Sequence, residues 1–545
     1  MIAGIKKIEK EISEVLQKFN ILDNVEIRYS NFENIDLQCN NLVRYSENNN
    51  LPDIKKEIIS SLKQSPLIKN IEINDKNFVN INVSNQYLYE FSQNINSRIK
   101  NNQKSSVIFD YGGPNIGKDL HVGHIRTLNI GRSLYNIYKL AGNKVISDIH
   151  FGDWGMPVAQ IITFIEHNNL DLENLNYEDL EIIYPKANNL SKENADFYDT
   201  AKSIAKKLNS GDRDYLEKWK KVYNLTIPNI KNLLKKLDHD FDWYFGESNV
   251  VKETDFVVSK AIETSKVKKD SGALISTEDV DPPILITKSD GSYLYLTTDL
   301  GTVYFRENKD NFDKYIYIVD ARQKNHFEQL FKTVKHFELS ESDFYHVGFG
   351  TINGSDNKPF KTRDGGVYKL NLLFEDVKSK LTKYNSDNNV LNSLTNTVLT
   401  YSDLLPNRNQ NYIFDVDKFT DINGKTGIYI QYAQVRAKKL LENSDIAGSF
   451  DNNLEMSDEE RNLLFQITMF DNFFDLSLSN MEPHHLAEYL YSLSQSFNSF
   501  YSNIKIFKDG LSLDIQKNRI KMVEEFYNTA KIVFECLGIK PVDSM

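Results

Sequence analysis

The stretch from Val107 to His124, VIFDYGGPNIGKDLHVGH, limits what this chain can fold into more than any other. Val107, Ile108 and Phe109 form a short apolar run of the kind that becomes a buried strand. Gly112, Gly113 and Pro114 break it, and a polar loop with Asn115 and Lys118 follows. Ile125, Leu128, Ile130, Leu134, Ile137 and Tyr138 then recur at spacings of three and four, as one face of a helix requires. Strand, glycine-bearing loop and helix in this order aim free backbone N–H groups and a positive helix end at an anion.

The pattern continues as half of a doubly wound nucleotide fold. A second strand is expected over Val145–Ile149, ending at His150-Phe151-Gly152-Asp153-Trp154-Gly155. A mostly helical, charged insertion is expected at about 165–280. Beyond it, Ile284–Ile286 and Tyr293–Tyr295 read as strands around the Ser289-Asp290-Gly291-Ser292 hairpin signal. Tyr315–Val319 and Tyr345–Phe349 read as further strands.

At 545 residues the chain is too long for one core, and about three or four domains are expected. Before the central stretch, Ile5, Ile8, Ile12, Val15, Leu16 and Phe19 make a helical stripe. Ile71, Ile73, Phe78, Val79, Ile81 and Val83 alternate as strands do around an Asn74-Asp75-Lys76 turn. After about residue 373 strand signals fade, and helical stripes run through Tyr429–Leu441 and 456–538. The expected architecture is α/β: a small N-terminal α+β domain (1–103), a Rossmann-like doubly wound domain with a helical insertion (104–372), and an all-α C-terminal region (373–545).

Composition excludes several classes. The two cysteines, Cys39 and Cys536, form no CxxC pair, so neither a disulfide framework nor a usual zinc site is expected. The acid-bearing N-terminal segment does not read as a signal peptide, and no run of eighteen apolar residues occurs, so a cytoplasmic protein without membrane contact is expected. A net charge of −11 argues against a chain coated in nucleic acid but leaves room for a local basic groove.

His121 and His124, spaced i, i+3 at a helix start, suit metal ligation, core packing or phosphate contact. No acidic third ligand lies nearby as HExxH would need. Gly123 between them would let a ligand approach the backbone, which favours phosphate. Tyr295 and Asp299 lie i, i+4, on one helix face or flanking a strand-to-helix corner. Asp110 is either a ligand for an ammonium group or a strand-end cap, and Glu247 is a further acidic candidate.

GGPNIGKDLHVGH resembles the signature of class I aminoacyl-tRNA synthetases and, in the longer form PNxxKxxHxGH, that of arginyl-tRNA synthetases. The resemblance runs collinearly through DIHFGDWGMPVAQ, FDWYFGES, KDSGALIS, YLYLTTD, YIVDARQKNHFEQLF, KPFKTRDGG, SDLLPNRNQNYIFD, YIQYAQVRA and the ending CLGIKPVDSM. It implies an arginine–tRNA ligase that uses ATP with Mg²⁺ and takes L-arginine and tRNA(Arg), without protein-bound zinc or another resident metal. A monomer is expected.

By the same resemblance, arginine would be held by Asp110, Gly113, Pro114, Asn115, His124, Tyr295, Asp299 and Gln323, with Glu247 as a further acid. ATP would be held by His121, Gly123, His124 and Lys361. The catalytic set would be those four together with Lys118 and Arg363. The second class I signature, Lys-Met-Ser-Lys-Ser, is Pro359-Phe360-Lys361-Thr362-Arg363 here, so Thr362 stands where the second lysine would be. Lys118 is the expected stand-in. Gly117 and Gly112 replace the commoner alanine and serine, which predicts a looser loop. The N-terminal domain would touch the tRNA elbow. The C-terminal helices, with Tyr432 to Arg436 and Lys438-Lys439, would read the anticodon by stacking on unpaired bases.

A glutaminyl or cysteinyl enzyme is the nearest alternative, disfavoured by the acidic pocket and the missing CxxC. A tRNA-binding paralogue without catalysis is disfavoured by the intact His121, His124, Lys118, Asn115 and Asp299.

Overall fold

The first strand, Ser106–Tyr111, sits inside a four-stranded parallel sheet ordered Asp343–His346, Lys314–Ile318, Ser106–Tyr111, Lys144–Asp148. Parallel strands with crossover helices are buried on both faces, which is why Val107, Ile108, Phe109, Tyr315, Ile316 and Ile318 are all buried. From Ser106–Tyr111 the chain moves first to one neighbour, Lys144–Asp148, and returns after the insertion to the other, Lys314–Ile318. The order therefore reverses between Ser106–Tyr111 and Lys314–Ile318. In open α/β sheets the crevice beyond the strand ends at such a point takes the ligand.

This is a computed structural model, and it describes residues 3–545 except 33, 49, 100–103, 279, 281, 355–367, 452 and 508–509. The chain forms two compact units. One holds Asn101–Asp421 and Leu537–Ile539; the other holds Met1–Lys100, Ile422–Cys536 and Lys540–Met545.

The first of these contains the parallel sheet and the insertion, whose helices include Tyr177–Glu193, Ala195–Asn209 and Arg213–Lys236. The insertion is less purely helical than expected. Val267–Asp270 and Ala273–Ser276 form a hairpin that Leu285–Thr287 extends to a three-stranded antiparallel sheet. Its two-residue turn has positive φ at both Ser271 and Gly272, the backbone that matches strand twist, but VKKD carries no apolar alternation to announce it.

The Asp290-Gly291 turn forms, with Lys288 donating to Ser292 and Tyr293 bridging Thr287. The expected strand over Tyr293–Tyr295 stops there, because a helix, Tyr295–Glu307, begins at once. Thr297 Oγ1 accepts the Leu294 N–H at 3.4 Å and caps the helix start. Within the expected all-helical region, Tyr412–Ile413 forms a two-residue strand paired in parallel with Ile352–Asn353.

In the other unit, helices Ala3–Lys18 and Leu51–Gln64 accompany a four-stranded antiparallel sheet. Ile5, Ile8, Ile12, Val15 and Leu16 are buried, as their spacing requires. Helices Gly427–Glu442, Asp458–Thr468, Phe470–Asn480, His484–Asn503 and Leu513–Leu537 complete it. Asp36, in the N-terminal part, takes both guanidinium nitrogens of Arg461 from the C-terminal helices. No helix among the described residues is long and apolar enough to cross a membrane.

Candidate active site

A cavity of about 800 Å³ opens at the reversal point of the parallel sheet. The segment after Ser106–Tyr111 forms one wall, and Ile318 to Asp320 after the neighbouring strand form another. Thr127, in the first turn of helix His124–Leu140, ties the two together. Its hydroxyl donates to the Ile318 carbonyl at 2.7 Å and accepts the Gly112 N–H at 3.0 Å.

The glycine-rich loop is held down rather than loose. Gly152 N–H donates to the Pro114 carbonyl at 3.1 Å, and Ile116 N–H to the Gly152 carbonyl at 3.0 Å. A Cβ on Gly152 would collide with the Asn115 side chain. Asn115 and Gly113 line the cavity, while Pro114 is buried with its carbonyl engaged. Gly117 adopts φ +74, and a Cβ there would lie 2.5 Å from Ile161, so glycine fits this backbone better than alanine. The expectation of a looser loop is therefore not met at Gly117, which is packed and donates to Thr226.

His121 and His124 line the cavity, with ring centroids 3.9 Å apart. His124 Nδ1 accepts the His121 N–H at 3.0 Å, and His121 Nδ1 accepts the Gly123 N–H at 3.1 Å. A nitrogen that accepts carries no proton, so both neutral rings keep theirs on Nε2 as hydrogen-bond donors. Burial and the neighbouring His121 pull His124 down to about 3, and burial and Lys118 lower His121. The pair is thus a set of uncharged donors beside a positive helix end. Gly123 is enforced by the His121 ring, since a Cβ would meet its Cε1 at 2.9 Å.

Lys118 lies outside the cavity wall, with its ammonium over the Tyr184 ring at 4.8 Å. Lys361 and Arg363 fall outside the described residues. Next to them in sequence, Tyr368 and Leu370 bond in antiparallel fashion to Val122 and Leu120.

Other parts of the lining carry carboxylates. Helix Tyr295–Glu307 presents Tyr295 and Asp299 to the cavity one turn apart, and Gln323 reaches it from the turn before helix Lys324–His336. His326, in the first turn of that helix, meets Asp299 Oδ2 at 2.7 Å through Nε2. Burial lowers His326, but the hydrogen bond and charge of Asp299 outweigh it, and its pKa ends raised.

Glu247 arrives because FDWYFGES runs in parallel past the sheet edge, bridging Asp148 with Trp243 and Phe151 with Gly246. Buried Asp153 then accepts the Ser248 N–H at 2.9 Å and the Ser248 hydroxyl at 2.7 Å, which fixes the turn. Burial, reinforced by the charges of Asp299 and Asp153, pushes Glu247 up to about 7.

Next to these residues lies a largely buried ion cluster that reaches the cavity through Asp110. Arg306 is fully buried, with Nη2 at 2.6 Å from Asp110 and 2.7 Å from Asp148. Burial pushes Asp148 up, but Arg306 and His150 more than offset this and hold it at about 2. Burial leaves Asp110 raised even against Arg306. Neither sequence reading of Asp110 anticipated this partner.

Of the residues singled out in the sequence, the cavity gathers Asp110, Gly113, Asn115, His121, Gly123, His124, Glu247, Tyr295, Asp299 and Gln323. Sequence reasoning missed His326, Arg306 and His150. A signal existed for Arg306, which follows Asp299 by about two helical turns and so shares its face.

Family comparison settles the class. Residues 86–416 match the model of the class I tRNA synthetase (R) catalytic domain, which is more than half of the chain. The chain belongs to the class I arginyl-tRNA synthetase family. The family's N-terminal domain matches residues 6–83, and the DALR anticodon binding domain matches residues 430–545.

The chain is 33% identical to the arginine–tRNA ligase of Alkaliphilus oremlandii over 477 residues, 81% of each chain. It is equally 33% identical to that of Francisella tularensis, over 82% of each. Among solved structures, arginyl-tRNA synthetase from Plasmodium falciparum superimposes with a TM-score of 0.80 at 26% identity, covering 99% of both chains. The Thermus thermophilus enzyme, at 16% identity and TM-score 0.78, shares the fold. Membership makes the chain an aminoacyl-tRNA synthetase, a ligase that uses ATP. It sets aside the glutaminyl and cysteinyl alternatives.

Proposed function

We propose that this cavity activates L-arginine with ATP to arginyl-adenylate and passes the arginyl group to the 3′ end of tRNA(Arg), as an arginine–tRNA ligase of protein synthesis. One observation carries the reading: a single cavity is lined both by carboxylates and by a pair of uncharged histidine donors. The first suits a guanidinium, which is planar and permanently charged. The second suits phosphate oxygens.

The side chain of arginine would lie against Tyr295, Asp299, Gln323 and Glu247. Its α-ammonium and carboxylate would meet Asp110, Gly113, Asn115 and His124, with Pro114 shaping the loop. The arginine carboxylate attacks the α-phosphorus and pyrophosphate leaves. No protein nucleophile is needed, so the residues act by positioning and charge stabilisation. The Nε2–H groups of His121 and His124 would donate to phosphate oxygens while Gly123 lets the nucleotide reach the backbone. Mg²⁺ would travel with the triphosphate as part of the substrate. Lys361, Arg363 and Lys118 would supply the remaining positive charge, with Lys118 standing in for the lysine absent at Thr362.

We assign residues 1–103 to the tRNA elbow, 104–372 to catalysis and 373–545 to a connecting segment and the anticodon reader. The family-domain matches over 6–83 and 430–545 support the outer two. A cytoplasmic monomer without bound zinc completes the reading.

The test is pyrophosphate exchange into ATP across a panel of amino acids, with cognate tRNA added. Exchange is expected with L-arginine alone. Lysine- or glutamine-dependent exchange would defeat the specificity, and exchange without amino acid would indicate a plain nucleotidyltransferase.

A further inference from the structure

The carboxylate lining of the cavity already contains a cation donor. His326 Nε2 sits 2.7 Å from Asp299 Oδ2, and both side chains line the cavity. The pair is partly open, with 27% of the His326 side chain and 31% of that of Asp299 exposed, so a ligand can reach it. We propose that His326 is a positioning residue that holds Asp299 while the pocket is empty, and that arginine enters by exchange for its proton. This rests on the arginine reading above.

The chemistry balances simply. An imidazolium paired with Asp299 would face an incoming guanidinium as a like charge in a half-buried site. Guanidinium takes over the carboxylate, the imidazolium loses its proton to solvent, and neutral His326 keeps one N–H to orient Asp299. The only covalent changes are the N–H bond that the imidazolium gives up and the bond to hydrogen that the accepting water or buffer base gains.

The groups around the pair leave few other sources of a proton. Tyr295 and Tyr317 are raised by burial and stay neutral. Asp320 is ionised and paired with Arg322 at 2.6 Å. His121 and His124 are lowered and stay neutral. Asp110 is taken up by Arg306, and His150 by Asp148 and Thr302. Glu247 remains, held near neutrality beside Asp299, and guanidinium would discharge it as well. The exchange thus has two proton sources, His326 and Glu247, and a variant of His326 removes one of them.

The experiment measures L-arginine binding to the full chain by calorimetry at pH 6.5 in two buffers of different ionisation enthalpy, and the KM for arginine in tRNA charging from pH 6.5 to 8.5. Wild type should release protons on binding, and its KM should fall by up to about tenfold per pH unit below the pKa of each group. H326Q retains an amide donor of similar reach but no titratable proton. Its proton release should drop by most of one per arginine, and its ratio of KM at pH 6.5 to pH 8.5 should shrink several-fold. H326A, which leaves Asp299 unheld, should raise KM several-fold at pH 8.5. Equal proton release and an equal KM ratio in wild type and H326Q overturn the proposal. So does a pH profile of H326Q that matches H326A in both slope and level. A wild type that neither binds nor charges arginine defeats the functional reading itself, which is a distinct outcome.

Discussion

Helix Tyr295–Glu307 carries two ion pairs, about two turns apart, that share a chemistry and differ in access. Near its end, Arg306 joins Asp110 and Asp148 with no exposure of its side chain. Near its start, Asp299 meets His326 with roughly three tenths of each side chain open. Charges out of water hold together only when every partner is present. The Arg306 cluster therefore behaves as framework, locking the ends of Ser106–Tyr111 and Lys144–Asp148 to the helix. A half-open pair with a titratable member has low barriers to exchange, as a binding group needs. One helix thus supplies both a rigid base and an exchangeable contact, and burial decides which is which.

The sharpest way to break this contrast is to remove the framework cation. R306M strands two buried carboxylates and should destabilise the catalytic unit by about 3–5 kcal/mol, read as a lowered urea midpoint. A loss under about 1 kcal/mol would mean that the cluster is not framework.

D299N should leave the urea midpoint nearly unchanged and raise the KM for arginine by about 10- to 100-fold, the weight of one hydrogen bond to a charged group. The KM for ATP should move less than about twofold, and equal losses for both substrates would point to a folding role.

G123A forces a Cβ into the His121 ring, 2.9 Å from Cε1. It should raise the KM for ATP by about tenfold or less and spare arginine binding, measured by calorimetry. The smallest effect is spectroscopic. Imidazole ¹⁵N shifts at pH 5 should find His124 neutral, because its pKa lies near 3, and His326 charged, because its pKa is raised above 6.5. A charged His124 at pH 5 would remove the contrast between the two histidine environments of the cavity.

Much of the site could be read from sequence because its parts are local. The strand, loop and helix around Gly112–His124 depend on neighbours within a few residues, and so does the i, i+4 pair Tyr295 and Asp299. What could not be read depends on distant partners. Asp110 and Arg306 lie far apart in the chain, so sharing a helix face with Asp299 does not tell which carboxylates Arg306 will meet. His326 sits within YIVDARQKNHFEQLF, but a histidine in a first helical turn has no meaning until Asp299 is brought to it. The hairpin at Ser271-Gly272 escaped for another reason: VKKD gives a two-faced strand little apolar content to reveal it.

The pairing of Asp36 with Arg461 joins the beginning of the chain to a helix made more than four hundred residues later. On a ribosome the segment carrying Asp36 emerges first and the one carrying Arg461 near the end. Between the two, residues Asn101–Asp421 of the catalytic unit are synthesised. That carboxylate, buried in the finished protein, must meanwhile stay hydrated or find a temporary partner. The later segment thus closes the earlier one, and a nascent chain halted before residue 461 lacks the guanidinium that pairs with Asp36.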